Sequence, residues 1–262
     1  MPSNSTLRRL LVPDLVIRGE RAFRPIAVYP ALKRMLIEDG VAFRSPEPGS
    51  RHAHRDRILF LNLTFYAQGA DGSDLLEDDS LDVDVLAHAA WHHAARKALI
   101  TATSPTAAAM FLGESVASAF DLYVIGRMLQ TGRGNAYLSS QLPALSAAAE
   151  GAGLDEEALG ALLTSVAEDP DGAFEELREL LFDASLALLA CADADAAIAA
   201  LDALSSNRFS CLLHHYEVSN WVLYARAYAG PAVADDPALV MDRAVRAAPV
   251  ALDWLEANWL TG

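Results

Sequence analysis

Residues 81–99 read LDVDVLAHAAWHHAARKAL and hold three of the chain's seven histidines, His88, His92 and His93. Imidazole binds transition metals and carries protons near neutral pH, so several on one short segment mark a place where chemistry is available. Spacing decides which of them act together. In an α-helix, residues i and i+4 lie on one face one turn apart, which aims His88 and His92 in the same direction. His93 is turned by about 100° from His92 and is held as a reserve ligand. The shared face also carries Leu81, Val85, Ala95 and Leu99, which turns the pair toward the core. Two buried imidazoles each need a partner. That partner is a metal, or else the pair belongs to a hydrogen-bonded cluster without one.

A third ligand has to come from another element. The segment PTAAAMFLGESVASAFDLYVIGRML has helical spacing, and its inward stripe is Phe111, Glu114, Ser118, Leu122, Ile125 and Leu129. A carboxylate in such a stripe is unfavourable unless it is compensated by charge or protonated. Two histidines from one helix and Glu114 from the next make a His2Glu set. The set suits zinc with a fourth position open to water. It equally suits ferrous iron, which uses two histidines and one carboxylate on one face of its coordination sphere.

The order of strand, connector, helix with H-x-x-x-H and helix with G-E-S-V-A-S-A-F-D resembles the gluzincin, or thermolysin-like, branch of the zinc metallopeptidases. The resemblance covers about residues 57–125 and rests on His88-Ala89-Ala90-Trp91-His92 followed by Glu114, 22 positions after His92. It implies that His88, His92 and Glu114 bind zinc and that the ancestral reaction is hydrolysis of a peptide or amide. Two positions depart from the family pattern. Its general base, the glutamate after the first histidine, falls on Ala89, which can neither polarise water nor shuttle a proton. The aspartate that supports a ligand histidine falls on Ser118, which can still hydrogen-bond but brings no charge. Asp121, one turn on, either substitutes for it or simply faces solvent.

If hydrolysis persists, another group must act as the base. SCLLHHYEVSNWVLYARAYAG, residues 210–230, holds a second polar cluster of His214, His215, Tyr216 and Glu217. By analogy with the family, His215 or Tyr216 stabilises the developing oxyanion. Their bland alternative is core or interface packing. Asp84, one turn before His88 and on nearly the same face, is the other available base. Other polar stretches carry less. His52 and His54 lie in the loop RSPEPGSRHAHRDR. AQGADGSDLLEDDS lacks the oxygen spacing of a calcium loop. Trp91, Trp221, Trp254 and Trp259 are expected in the core, and the acidic helix starts are expected to be caps.

The elements that must position these groups follow from texture. Residues 1–80 form an N-terminal α/β portion, with extended runs at LVPDLVIRG and RPIAVYP, a short helix at PALKRMLIEDG closed by Gly40, and an edge-type strand at 57–68. Residues 81–262 form a helical domain with helices near 81–101, 105–130, 135–150, 155–168, 172–190, 193–205, 208–229 and 236–259. Ser104 and Pro105 mark a helix start as cap and first residue, and Asp155 begins another. The fold class is therefore α+β, mostly helical.

Composition bounds the rest. Apolar residues are 53% of the 262, enough for a sizeable core, and 35 acidic against 20 basic residues give a net charge of −15. That charge excludes nucleic acid and anionic membrane surfaces as partners, which need a basic face. No uninterrupted apolar stretch reaches about 18–20 residues, the length of a membrane span. No signal-peptide pattern is visible, because Pro13 and Asp14 break the apolar run after Arg8 and Arg9. Cys191 and Cys211 do not make a disulfide framework. A cytoplasmic protein is expected. Three classes of function remain: a divergent or inactive gluzincin-like zinc metallopeptidase, a non-hydrolytic iron enzyme of oxygenase type, and a helical scaffold pseudoenzyme that meets a protein or peptide partner or its own copy in a homo-oligomer.

Overall fold

The computed structural model describes residues 7–47, 74–99, 104–132 and 136–261. The fold is mostly helical α+β, with a small two-sheet portion at the N-terminus. Two compact units are present, Met1–Ala90 and Trp91–Gly262, so the division falls within one continuous helix.

In the first unit, β1 (Leu7–Leu11) pairs antiparallel with β3 (Ala42–Pro46), and β2 (Val16–Arg18) pairs parallel with β4 (Ser80–Asp82). Arg18 faces Asp82 in register and donates to both of its carboxylate oxygens at 2.8 and 3.0 Å. Gly19 at φ +73° turns the chain from β2 into the single-turn helix α1 (Glu20–Phe23). Helix α2 (Tyr29–Glu38) buries Tyr29, Leu32, Met35 and Leu36. It ends where Gly40 adopts φ +62° and Val41 N donates to Leu36 O, as the sequence predicts for that glycine. RPIAVYP is not extended: it forms turns and the first residues of α2, because its Pro30 suits the first turn of a helix as well as a strand end. The 57–68 strand expected from the sequence, with His52 and His54, lies outside the described residues.

β4 runs without a loop into α3 (Val83–Leu99). The second unit is built around α4 (Ala107–Gln130), which is buried on every side rather than along one stripe. Its length and composition would suit a membrane span, but most of its surface is covered by the molecule, which makes it a core helix. Around it pack α5 (Ala136–Gly151), α6 (Glu156–Glu168), α7 (Pro170–Ala190), α9 (Val218–Tyr228) and α10 (Pro237–Arg246). At Gly126 a Cβ would come 2.7 Å from Val166 O, so this glycine sets how closely α4 and α6 approach. α7 also carries α8 (Ala194–Asp202), and α11 (Ala251–Leu255) continues into a π-helical turn, Glu256–Leu260.

The acidic helix starts are caps, as expected. Asp155, Asp169, Asp193 and Asp236 each accept a hydrogen bond from a backbone N–H in the first turn of α6, α7, α8 and α10. The start of α4 differs from its sequence reading: Thr106, not Ser104, is the cap, and its hydroxyl accepts from Ala109 N at 3.1 Å. Two expected helices are divided. The stretch 208–229 is a 3₁₀ turn at Ser210–Leu212, further turns, and then α9. The stretch 236–259 breaks between α10 and α11 at the residues before and after Pro249, which cannot donate to the helical ladder.

Candidate metal centre

His88 and His92 lie one turn apart on α3, and Glu114 lies on α4. One potential ligand atom from each falls within 4.8 Å of the others. His92 Nε2 stands 3.4 Å from Glu114 Oε2, with their side chains 20% and 18% exposed. The group is therefore at the margin of the core and open to solvent on part of its surface. The face expected toward the core is partly covered: Leu81, Ala95 and Leu99 are buried, whereas His88, His92 and Val85 are half-buried.

Local sequence explains the close approach. The buried face of α3 beyond Ala90 is small apart from Trp91 and Leu99, being Ala94 and Ala95. Across from it α4 presents Gly113, where an added Cβ would come 3.2 Å from the Ala95 Cβ. Small residues bring the two backbones together beside Glu114, so that a glutamate side chain spans the gap to His92. Ser118, one turn after Glu114, is 6% exposed and Ser115 donates to Leu112 O at 3.0 Å.

The distance has a physical meaning. Zinc binds imidazole nitrogen and carboxylate oxygen at about 2.0–2.2 Å, and two such ligands at a tetrahedral angle are about 3.3–3.5 Å apart. Ligands of an octahedral ion at similar bond lengths stand about 2.9–3.1 Å apart. A good N–H···O hydrogen bond spans about 2.7–3.2 Å. The observed 3.4 Å suits two ligands of a shared ion and also a direct imidazole–carboxylate ion pair.

The remaining predicted residues fall elsewhere. His93 is half-buried on the next face of α3 and is not part of the three-residue group. Asp84 is in the first turn of α3, half-buried, and its charge acts on Arg18 beside Asp82. His214, His215, Tyr216 and Glu217 are not on a helix interior: they occupy the turns before α9, and Glu217 takes the left-handed conformation at φ +50°. Its carboxylate accepts from Asn220 Nδ2 at 2.7 Å, which holds the turn. The His215 and Tyr216 rings meet edge-on at 4.9 Å. Burial lowers the His215 pKa, against the opposing charges of Asp121 and Glu217. Burial, and then the charge of Asp121, raise that of Tyr216. These two rings thus share the neighbourhood of Asp121, which is seven residues and about 10.5 Å along α4 from Glu114.

Gly113 is a contributor that the sequence signals only as a glycine inside a long apolar helix, immediately before the carboxylate. Trp259, expected in the core, packs against Trp91 with ring centroids 6.4 Å apart, and nothing local in the sequence marks that contact. The Trp91 and Trp259 rings are buried as expected, whereas Trp221 and Trp254 are only half-buried.

No protein-family model, curated protein or solved structure matches the chain.

Proposed function

We propose that this is a metal-binding protein whose His88, His92 and Glu114 hold zinc in a gluzincin-like His2Glu centre, and that it is a divergent metallopeptidase without the usual general base. The observation that carries the reading is the 3.4 Å between His92 Nε2 and Glu114 Oε2, with His88 one turn away on the same helix. A His2Glu set suits zinc and also ferrous iron, and zinc is preferred here on the resemblance to the gluzincin pattern. Bound there, zinc would supply a Lewis acid able to polarise a carbonyl or phosphoryl oxygen. The chain's own residues hold the ion by two neutral imidazoles and one carboxylate. Partial exposure of the group leaves it accessible to a small ligand or a peptide carbonyl. The residue that would move the proton is missing, because Ala89 stands where a glutamate is needed.

Thermal unfolding tests the assignment. An ion that binds only the folded state stabilises it by about 2.7 kcal/mol at a hundred times its dissociation constant. Zinc should raise the melting temperature of the chelator-treated protein, and His92→Ala should remove that response. An equal zinc response in the wild type and the variant would place the ion at another site.

A further inference from the structure

We infer that Trp259, carried on the π-helical turn at Glu256–Leu260, is a positioning residue for the metal centre: through Trp91 it fixes the rotation of α3 that brings His92 to Glu114. The inference rests on the metal reading above.

Trp91 immediately precedes His92 and is fully buried. Its ring meets Phe120 of α4 edge-on at 5.6 Å and 64°, and Trp259 at 6.4 Å and 65°. Phe120 is itself stacked on Tyr123 at 5.6 Å. Apart from Leu99, the other buried residues of α3 in this unit are the alanines Ala94 and Ala95. An alanine face has few projections and resists rotation or sliding poorly, so Trp91 is the main steric key between α3 and α4. That key is gripped from two sides, by Phe120 on α4 and by Trp259.

The demand for such a key follows from helix geometry. A side-chain end lies about 6 Å from a helix axis, so a rotation of 10° moves it by about 1 Å. Metal ligands must be placed within about 0.2 Å of ideal distance, and their supports within about 0.5 Å. Glu114 and Phe120 share α4, so a contact that locks Trp91 against Phe120 also sets the position of His92 against Glu114.

The π-helical turn supports a specific role for Trp259. Single π-helical turns are rare and occur frequently at functional sites. Here the turn directs both Trp259 and Leu260 into the core, 4% and 9% exposed. Neither the Trp91 nor the Trp259 indole N–H has a hydrogen-bond partner among the described residues. The pair therefore acts by ring shape, and a phenylalanine at position 259 should serve nearly as well.

The test compares the full-length wild type with Trp259→Ala and Trp259→Phe. Zinc affinity is read by competition with a chromophoric chelator, and coordination geometry by the visible absorption of the cobalt(II)-loaded protein. Trp259→Ala should weaken zinc binding by about 10–100-fold, as loss of a ligand-orienting partner does elsewhere, and change the cobalt spectrum. Trp259→Phe should stay within a few-fold of the wild type and keep its spectrum. If Trp259→Ala does not fold, Trp259→Leu takes its place. Wild-type affinity and spectrum in the alanine or leucine variant, or a phenylalanine variant no better than it, overturns the inference while leaving the zinc centre standing. A wild type that binds neither ion overturns both.

Discussion

The chemistry we propose turns on Ala89 and on the group formed by His88, His92 and Glu114. The His88–His92 pairing was legible because helix geometry alone puts i and i+4 on one face, and Glu114 because a carboxylate in an apolar stripe needs a partner. Their depth was not legible: the helical period gives a direction, and neighbouring helices decide how far that direction is covered. General-base help is worth about 10²–10⁴ in rate. Wild type should accordingly give no peptidase turnover above background, and Ala89→Glu should retain zinc and gain at most weak hydrolysis in a fluorogenic peptide assay. Robust wild-type turnover that survives separate loss of Asp84, His215 and Tyr216 would refute the missing-base account. His215 makes a different prediction. Its folded pKa is lowered by burial from the ordinary 6.5. As pH falls through that value the unfolded chain takes up a proton that the folded protein resists, so His215 contributes stability above pH 6.5 that is lost on acidification down to the lowered value. In His215→Gln the fall in melting temperature below pH 6.5 should be shallower; an unchanged slope would show that the imidazole titrates equally in both states.

At the scale of elements, sequence and structure agree where a local signal is strong. Asp155 followed by two glutamates caps α6, and Gly40 ends α2 in the left-handed conformation. They part where tertiary contact or an unsignalled backbone decides. Nothing in SCLLHHYEVSNW marks the positive φ at Glu217, since glycine or asparagine is the usual occupant, and the apolar period runs on across the break. The strands β3 and β4 are short, and β4 is paired with β2, distant in sequence, so neither has a pattern of its own. A buried ion-pair network between α7 and α10 is also hidden in the sequence. Fully buried Arg178 of α7 donates to Asp242 of α10 at 2.7 Å and to Glu175 at 2.6 and 3.1 Å, while Arg246 joins Asp242 to Asp183. Removing Arg178 leaves Asp242 still paired with Arg246 and Glu175 partly exposed, so the cost is that of lost buried hydrogen bonds, about 1–3 kcal/mol, and not that of an orphaned buried ion. Arg178→Met should lower unfolding stability in urea by that amount, and an unchanged stability would mean that the network does not hold α10 to α7.

At the scale of the whole molecule, the sequence conveyed class more readily than arrangement. Apolar content and the run of helical segments after residue 81 announced a mostly helical α+β chain, and that is the fold. The central place of α4 departs from the single inward stripe expected of it: the helix is apolar almost all round, and its neighbours cover every face. The continuity of α3 was legible, since a single helix is expected near 81–101. One metal ion per chain at His88, His92 and Glu114 is the proposal on which the rest depends. Elemental analysis of protein purified without chelators, beside a variant in which His88, His92 and Glu114 are all replaced by alanine, decides it. Zinc at close to one ion per chain is expected in the wild type and none in the variant. A metal-free wild type that zinc cannot load, or a full complement of zinc in the variant, would contradict it.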